Sequence, residues 1–111
     1  MYDIIKTNMD RFNERVGADE SLQKAVEGKR RRILITVTDG TQYHFELADN
    51  TLSGLGEGPI EDADIQVTSD TATYVGIIDR SINPYKAFVE KRIKIRASLP
   101  DMFLFQKFMS A

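Results

Sequence analysis

Arg80-Ser-Ile-Asn-Pro-Tyr-Lys-Ala-Phe-Val-Glu-Lys-Arg-Ile-Lys-Ile-Arg-Ala-Ser98 is the stretch where one structural period gives way to another. Asn83 stands where an N-cap belongs. Pro84 follows at the first helical position, where its missing N–H is one that a helix leaves unpaired anyway. Tyr85, Phe88 and Val89 come next at helical spacing. From Arg92 the period is two: Ile93, Ile95 and Ala97 point one way, Lys94 and Arg96 the other. The switch predicts a short amphipathic helix running directly into a half-buried strand. Two cations on that strand's solvent face suit a sheet edge, where charge discourages pairing with another chain.

Downstream, Pro100 and Asp101 open a helix carrying Met102, Phe103, Leu104, Phe105, Phe108 and Met109, apolar over nearly its whole circumference. A helix lying on a sheet with one face in water keeps a polar stripe, so this one needs a second dry surface. It either walls an apolar cavity, buries its second face in a dimer, or packs under the N-terminal helix. Methionine and phenylalanine suit an adaptable pocket for apolar ligands.

Upstream, Ile65 and Val67 alternate with Asp64, Gln66 and Thr68 in a strand. Through Ser69, Asp70 and Thr71 it enters a helix with Tyr74, Val75, Ile77 and Ile78, ending near Arg80. Asp39-Gly40 is a hairpin signal joining Ile33, Ile35 and Val37 to Tyr43, Phe45 and Leu47. Asn50 to Pro59 is turn-rich, with at most a short strand over Thr51 to Leu55. Its glycines lack the lysine and serine of a phosphate-binding loop. The chain opens with an amphipathic helix, Tyr2 to Val16, burying Ile5, Met9, Phe12 and Val16 and stopped by Gly17. A shorter helix capped by Asp19 carries Leu22, Ala25 and Val26 as far as Gly28. No linker or internal repeat interrupts these elements, so residues 1–111 read as one α+β domain.

Composition narrows the function. The chain has 111 residues, no cysteine, 15 basic and 17 acidic residues, and a formal net charge of -2. That excludes a disulfide scaffold and thiolate chemistry, and it lacks the basic excess that nucleic acid demands. Apolar runs are too short to span a bilayer. Neither a secretory leader nor a peroxisomal address is read, so a cytoplasmic location is expected. The single histidine, His44, alternates onto the polar face of its strand, with no nucleophile partner and too few ligands for zinc. Glu61, Asp62 and Asp64 lack calcium-loop spacing. The expectation is a protein without catalytic, metal or cofactor site. Arg30, Arg32, Lys94 and Arg96 fall on the outer sheet face, where they either meet an anionic membrane surface or acidic partner or are neutralised by Glu46 and Asp64.

Taken together, the two N-terminal helices, the Asp39-Gly40 hairpin, the strand Ala63 to Asp70 and above all Ile82 to Arg96 resemble the sterol carrier protein type 2 domain family. The likeness lies in Asn-Pro, then Ala-Phe, then an alternating basic and aliphatic strand, and it covers nearly the full length. It implies a roughly five-stranded, mainly antiparallel sheet with helices packed on one face. It also implies a hydrophobic tunnel for a sterol, fatty acid, acyl-coenzyme A or phospholipid, closed by the terminal helix. The family often has glycine where this chain has Lys91 and Ala97; if those glycines serve positive φ, Lys91 is strained or its turn differently built.

The reading is a non-catalytic lipid carrier, monomer or homodimer, with a lipid-like ligand as partner. Tyr74, Ile77, Ile78, Phe88, Met102, Phe103, Phe105 and Met109 are its expected lining, over a floor of Ile35, Phe45 and Ile95. The alternative is an accessory module with a filled core, working with a partner enzyme or as a dimer.

Overall fold

A computed structural model describes residues 1–110. The elements run α1 (Tyr2–Val16), α2 (Glu20–Val26), β1 (Arg31–Val37), β2 (Gln42–Ala48), β3 (Thr51–Glu57), β4 (Ile65–Ser69), α3 (Thr71–Ile78), α4 (Pro84–Val89), β5 (Ile93–Arg96) and α5 (Leu99–Met109). The strands form one sheet in the order β3-β2-β1-β4-β5. All neighbours are antiparallel except β1 and β4, which run parallel with Ile33 opposite Ile65 and Ile35 opposite Val67.

Alternation decides the faces. Ile33, Ile35, Val37, Tyr43, Phe45, Leu47, Ile65, Val67 and Ile93 are buried under the helices. On the open face, register aligns His44, Leu34, Gln66 and Arg96 in one row and Gln42, Thr36, Thr68 and Lys94 in the next. Arg32 stands opposite Glu46, and its backbone N–H donates to the Asp64 carboxylate at 2.8 Å. The outer-face cations are therefore spread: Arg32 and Arg96 lie two strands apart and out of row.

The strand at Thr51 is longer than its glycines indicate, running seven residues to Glu57. Asp49 and Asn50, with φ of 52° and 62°, make the two-residue turn into it, a left-handed pair that matches strand twist. A bulge follows opposite His44 to Glu46, with Gly54 at φ 73°. Gly56 lies under the His44 ring, where a Cβ would fall 2.7 Å from Nε2. His44 Nδ1 lies 3.0 Å from the Gly58 carbonyl, so it is the protonated nitrogen and the donor. At the free edge, Asn13 of α1 donates to the Leu52 carbonyl at 2.8 Å and accepts from the Leu52 N–H at 2.7 Å. One side chain thus satisfies a residue of the edge strand and docks α1 onto it.

α5 uses two of the three solutions open to it. Leu104, Phe105, Phe108 and Met109 are buried, and Phe108 meets Phe12 of α1 edge-on, ring centroids 5.0 Å apart. Leu99 and Phe103 stay exposed on another face. Both ends of the helix are fastened. Arg31 Nε donates to Asp101 at 3.0 Å, and buried Asn8 donates to the Phe108 carbonyl at 3.1 Å. Arg15 and Arg80 both donate to the Ser110 carbonyl, at 3.3 and 3.4 Å. These groups answer carbonyls that a helix C-terminus leaves unpaired. No helix among the described residues is long and apolar enough to cross a membrane.

Candidate functional site

The uncovered face of α5 borders a cavity of about 690 Å³, lying toward the β5 edge of the sheet. α1 occupies the opposite end, over β3 and against α5. The small helix α4 completes the wall. Asn83 caps it, accepting from the N–H groups of Tyr85 and Lys86 at 2.9 and 3.2 Å. It ends in a left-handed turn at Lys91, φ 62°: the Arg92 N–H donates to the Ala87 carbonyl at 2.9 Å and the Lys91 N–H to the Phe88 carbonyl at 3.1 Å. Lys91 thus adopts the conformation that glycine would serve, whereas Ala97 does not have positive φ. In α4 only Ala87 is buried, so the helix shows Phe88 to the cavity and Tyr85 to its rim.

The other wall begins at the end of α3. Asp70 caps that helix, accepting from the Thr73 N–H at 2.6 Å and from its hydroxyl at 2.9 Å. The backbone N–H of Thr73 is the main cause that holds the Asp70 carboxyl below the usual range, partly opposed by desolvation. At the far end, Asp79 accepts from Ser81, and those bonds lower its carboxyl too. The loop then doubles back: Ile82 packs on Gly76, where a Cβ would fall 2.7 Å from Ile82 Cγ1. That close approach places Arg80 to Tyr85 along the cavity.

Of the residues expected to line a tunnel, Ile77, Phe88, Ile95, Met102, Phe103, Phe105 and Met109 all border this cavity. Ile35, Phe45 and Tyr74 do not: they are fully buried core. The reason is position across the sheet. β1 and β2 are central and covered by helices, so only the β5 edge lies under open space. Ile78 packs against the core from a half-buried site and is likewise off the wall. Tyr74 is enclosed, and burial pushes its phenol up, so it stays neutral. Sequence reasoning missed Arg80, Ser81, Ile82, Leu99, Gln106 and Ser110 on the wall. Ile93 could have been found, since it shares its strand face with Ile95.

The lining is apolar over most of its extent. Arg80, Ser81, Gln106 and Ser110 supply polar groups toward the C-terminal end of α5. Among the described residues no group of three or more metal-ligating side chains converges.

The SCP-2 sterol transfer family model matches residues 9–111. The chain belongs to the SCP-2 sterol transfer family. Solved structures share the fold at low identity. A ubiquinone synthesis protein, UbiJ-SCP2, matches with a TM-score of 0.71 at 14% identity, over 98% of this chain and 90% of that one. The palmitated SCP2L2 of Aedes aegypti matches at 0.66 and 14% identity, over 96% and 94%. The sec-alkylsulfatase Pisa1 of a Pseudomonas species contains the fold as a part. There the TM-score is 0.67 at 18% identity over 81% of this chain, which spans 14% of the sulfatase's length. No curated protein matches this chain in sequence. Family and fold together make this a lipid-binding type of domain, an α+β sandwich of helices on a mostly antiparallel sheet.

Proposed function

We propose that the protein is a non-catalytic carrier, cytoplasmic in location, that holds one lipid-like molecule in the cavity between α3, α4, β5 and α5. The cavity itself carries the reading: about 690 Å³ falls within the range that small-molecule sites occupy. Its lining fits an amphiphile. Phe88, Ile95, Met102, Phe103 and Phe105 suit an alkyl chain or ring system, and Arg80, Ser81 and Gln106 suit a polar head. The palmitated Aedes protein, which shares the fold, supports a fatty acyl ligand.

The test is a chain-length series of fatty acids displacing a fluorescent one. Each methylene buried is worth about 0.8 kcal/mol, so affinity should climb roughly fourfold per carbon and then level off as the cavity fills. Equal binding of short and long chains refutes the reading.

A second reading, an accessory module acting with an enzyme or as a dimer, draws on exposed Leu99 and Phe103. The likenesses to UbiJ-SCP2 and to part of a sulfatase also favour it. A homodimer in solution that dissociates on Phe103→Glu supports it; a strict monomer of unchanged mass counts against it.

A further inference from the structure

Among the described residues that border the cavity, only Arg80 is charged. Its backbone lies in the left-handed region, φ 68°, which residues other than glycine seldom adopt. A strained backbone under a charged side chain at the wall of a cavity points to a use for that side chain.

The charge of Arg80 is unanswered. It forms no ion pair among the described residues. The adjacent carboxylate, Asp79, is turned to Ser81, whose N–H donates to it at 2.8 Å. What Arg80 reaches is the Ser110 carbonyl, at 3.4 Å, and Arg15 of α1 reaches the same oxygen at 3.3 Å. Arg15 likewise forms no ion pair among the described residues. Both bonds are long for a guanidinium. Two like charges therefore meet on one neutral acceptor, at the polar end of an apolar cavity. A single carbonyl dipole does not neutralise them. An oxyanion does, because its several oxygens accept from two guanidinium forks at once.

We infer that Arg80 decides which head group the cavity takes: an amphiphile ending in an oxyanion, carboxylate or sulfate ester, with Arg80 as its first contact and Arg15 as a second positive charge behind it. The inference rests on the carrier reading and deepens it. A hydroxyl-headed lipid of the same length fits the apolar wall and can bond Ser81 or Gln106, but it leaves both guanidiniums unmatched.

Hexadecanoate, hexadecyl sulfate and hexadecanol share a tail and differ in head, so they test it. Each displaces a neutral apolar fluorophore, diphenylhexatriene, from the protein at low salt and at about pH 8, where the carboxyl is ionised. The anions should bind about tenfold tighter than the alcohol, the worth of a charge-assisted hydrogen bond at a partly exposed site. That margin should shrink as salt is raised. Arg80→Gln keeps most of the stem and the left-handed backbone but loses the charge. It should erase most of the margin while hexadecanol binding and the melting temperature stay as they were. Arg80→Lys should keep part of the margin. Arg15→Gln, off the cavity wall, should narrow it about threefold. Preference for one anion alone over the alcohol supports the inference and fixes the head. Equal binding of all three by the wild type overturns it and leaves the carrier reading standing, as does a margin unchanged in Arg80→Gln. Displacement by none of the three overturns both.

Discussion

Replacing Lys91 by glycine should make the protein more stable. The residue sits at φ 62°, where a side chain on Cα costs about 1–2 kcal/mol. Its side chain is exposed and makes no hydrogen bond or ion pair among the described residues, so its removal loses little. The bonds that close the turn, from Arg92 N–H to the Ala87 carbonyl and from Lys91 N–H to the Phe88 carbonyl, are backbone bonds that glycine keeps. Against the relief stands glycine's greater freedom in the unfolded chain, about 0.4–1 kcal/mol. The balance is a gain of about 0.5–1 kcal/mol. A domain of 111 residues has an unfolding entropy of about 0.23 kcal/mol/K at its midpoint, so Tm should rise by about 2–4 °C. Circular dichroism melts and urea unfolding read this directly. Lys91→Ala is the decisive control: it removes the same side chain but keeps the left-handed penalty, and should melt near the wild type. A glycine variant no more stable than the wild type, or an alanine variant that gains as much, would refute the assignment of the strain to the backbone.

Further substitutions test the elements around the cavity. Gly76→Val forces a side chain into Ile82 and should cost about 2 kcal/mol, or about 8 °C in Tm; Ile82→Ala in the same chain should recover part of that loss, because the two residues share one space. Asp70→Ala removes the α3 cap and should cost about 1 kcal/mol by urea unfolding. Because the folded state holds the Asp70 carboxyl low, its contribution is complete above the unfolded value near about 3.9 and is lost as pH falls through the folded one; Asp70→Asn should keep the cap while flattening stability against pH in that acidic window. Asn8→Ala strands the Phe108 carbonyl in a buried place and should cost about 1–3 kcal/mol in the same assay.

Most of the fold was legible because burial here follows simple periods. The alternation in β1, β2 and β4 and the switch from helix to strand after Arg92 each identify one buried face. β3 was only partly legible. Its glycines resemble a turn, and what makes them a strand is outside the stretch itself: the His44 ring needs the space over Gly56, and Asn13 holds Leu52 from a helix thirty-nine residues away. The cavity shows the same limit. Ile35, Phe45 and Ile95 look alike in sequence, since all point to the helical side of the sheet. Only strand order, with β1 and β2 central and β5 at the edge, separates core from wall. Ile82 reached the wall through a loop doubling back on Gly76, a tertiary contact that no local pattern encodes.

The embrace of α1 and α5 bears on how the chain comes to be folded as it is made. Within this domain α1 is made before the other elements, with its apolar stripe of Ile5, Met9 and Phe12. Part of what covers it, beside β3, lies at the other end of the domain: Asn8 donates to the Phe108 carbonyl across one hundred residues, and Phe12 meets the ring of the same residue edge-on. At about 5–20 residues per second, that stripe waits about 5–20 s for its partner. For that interval α1 is an amphipathic segment with part of its stripe uncovered, attached to an unfinished sheet and open to wrong contacts.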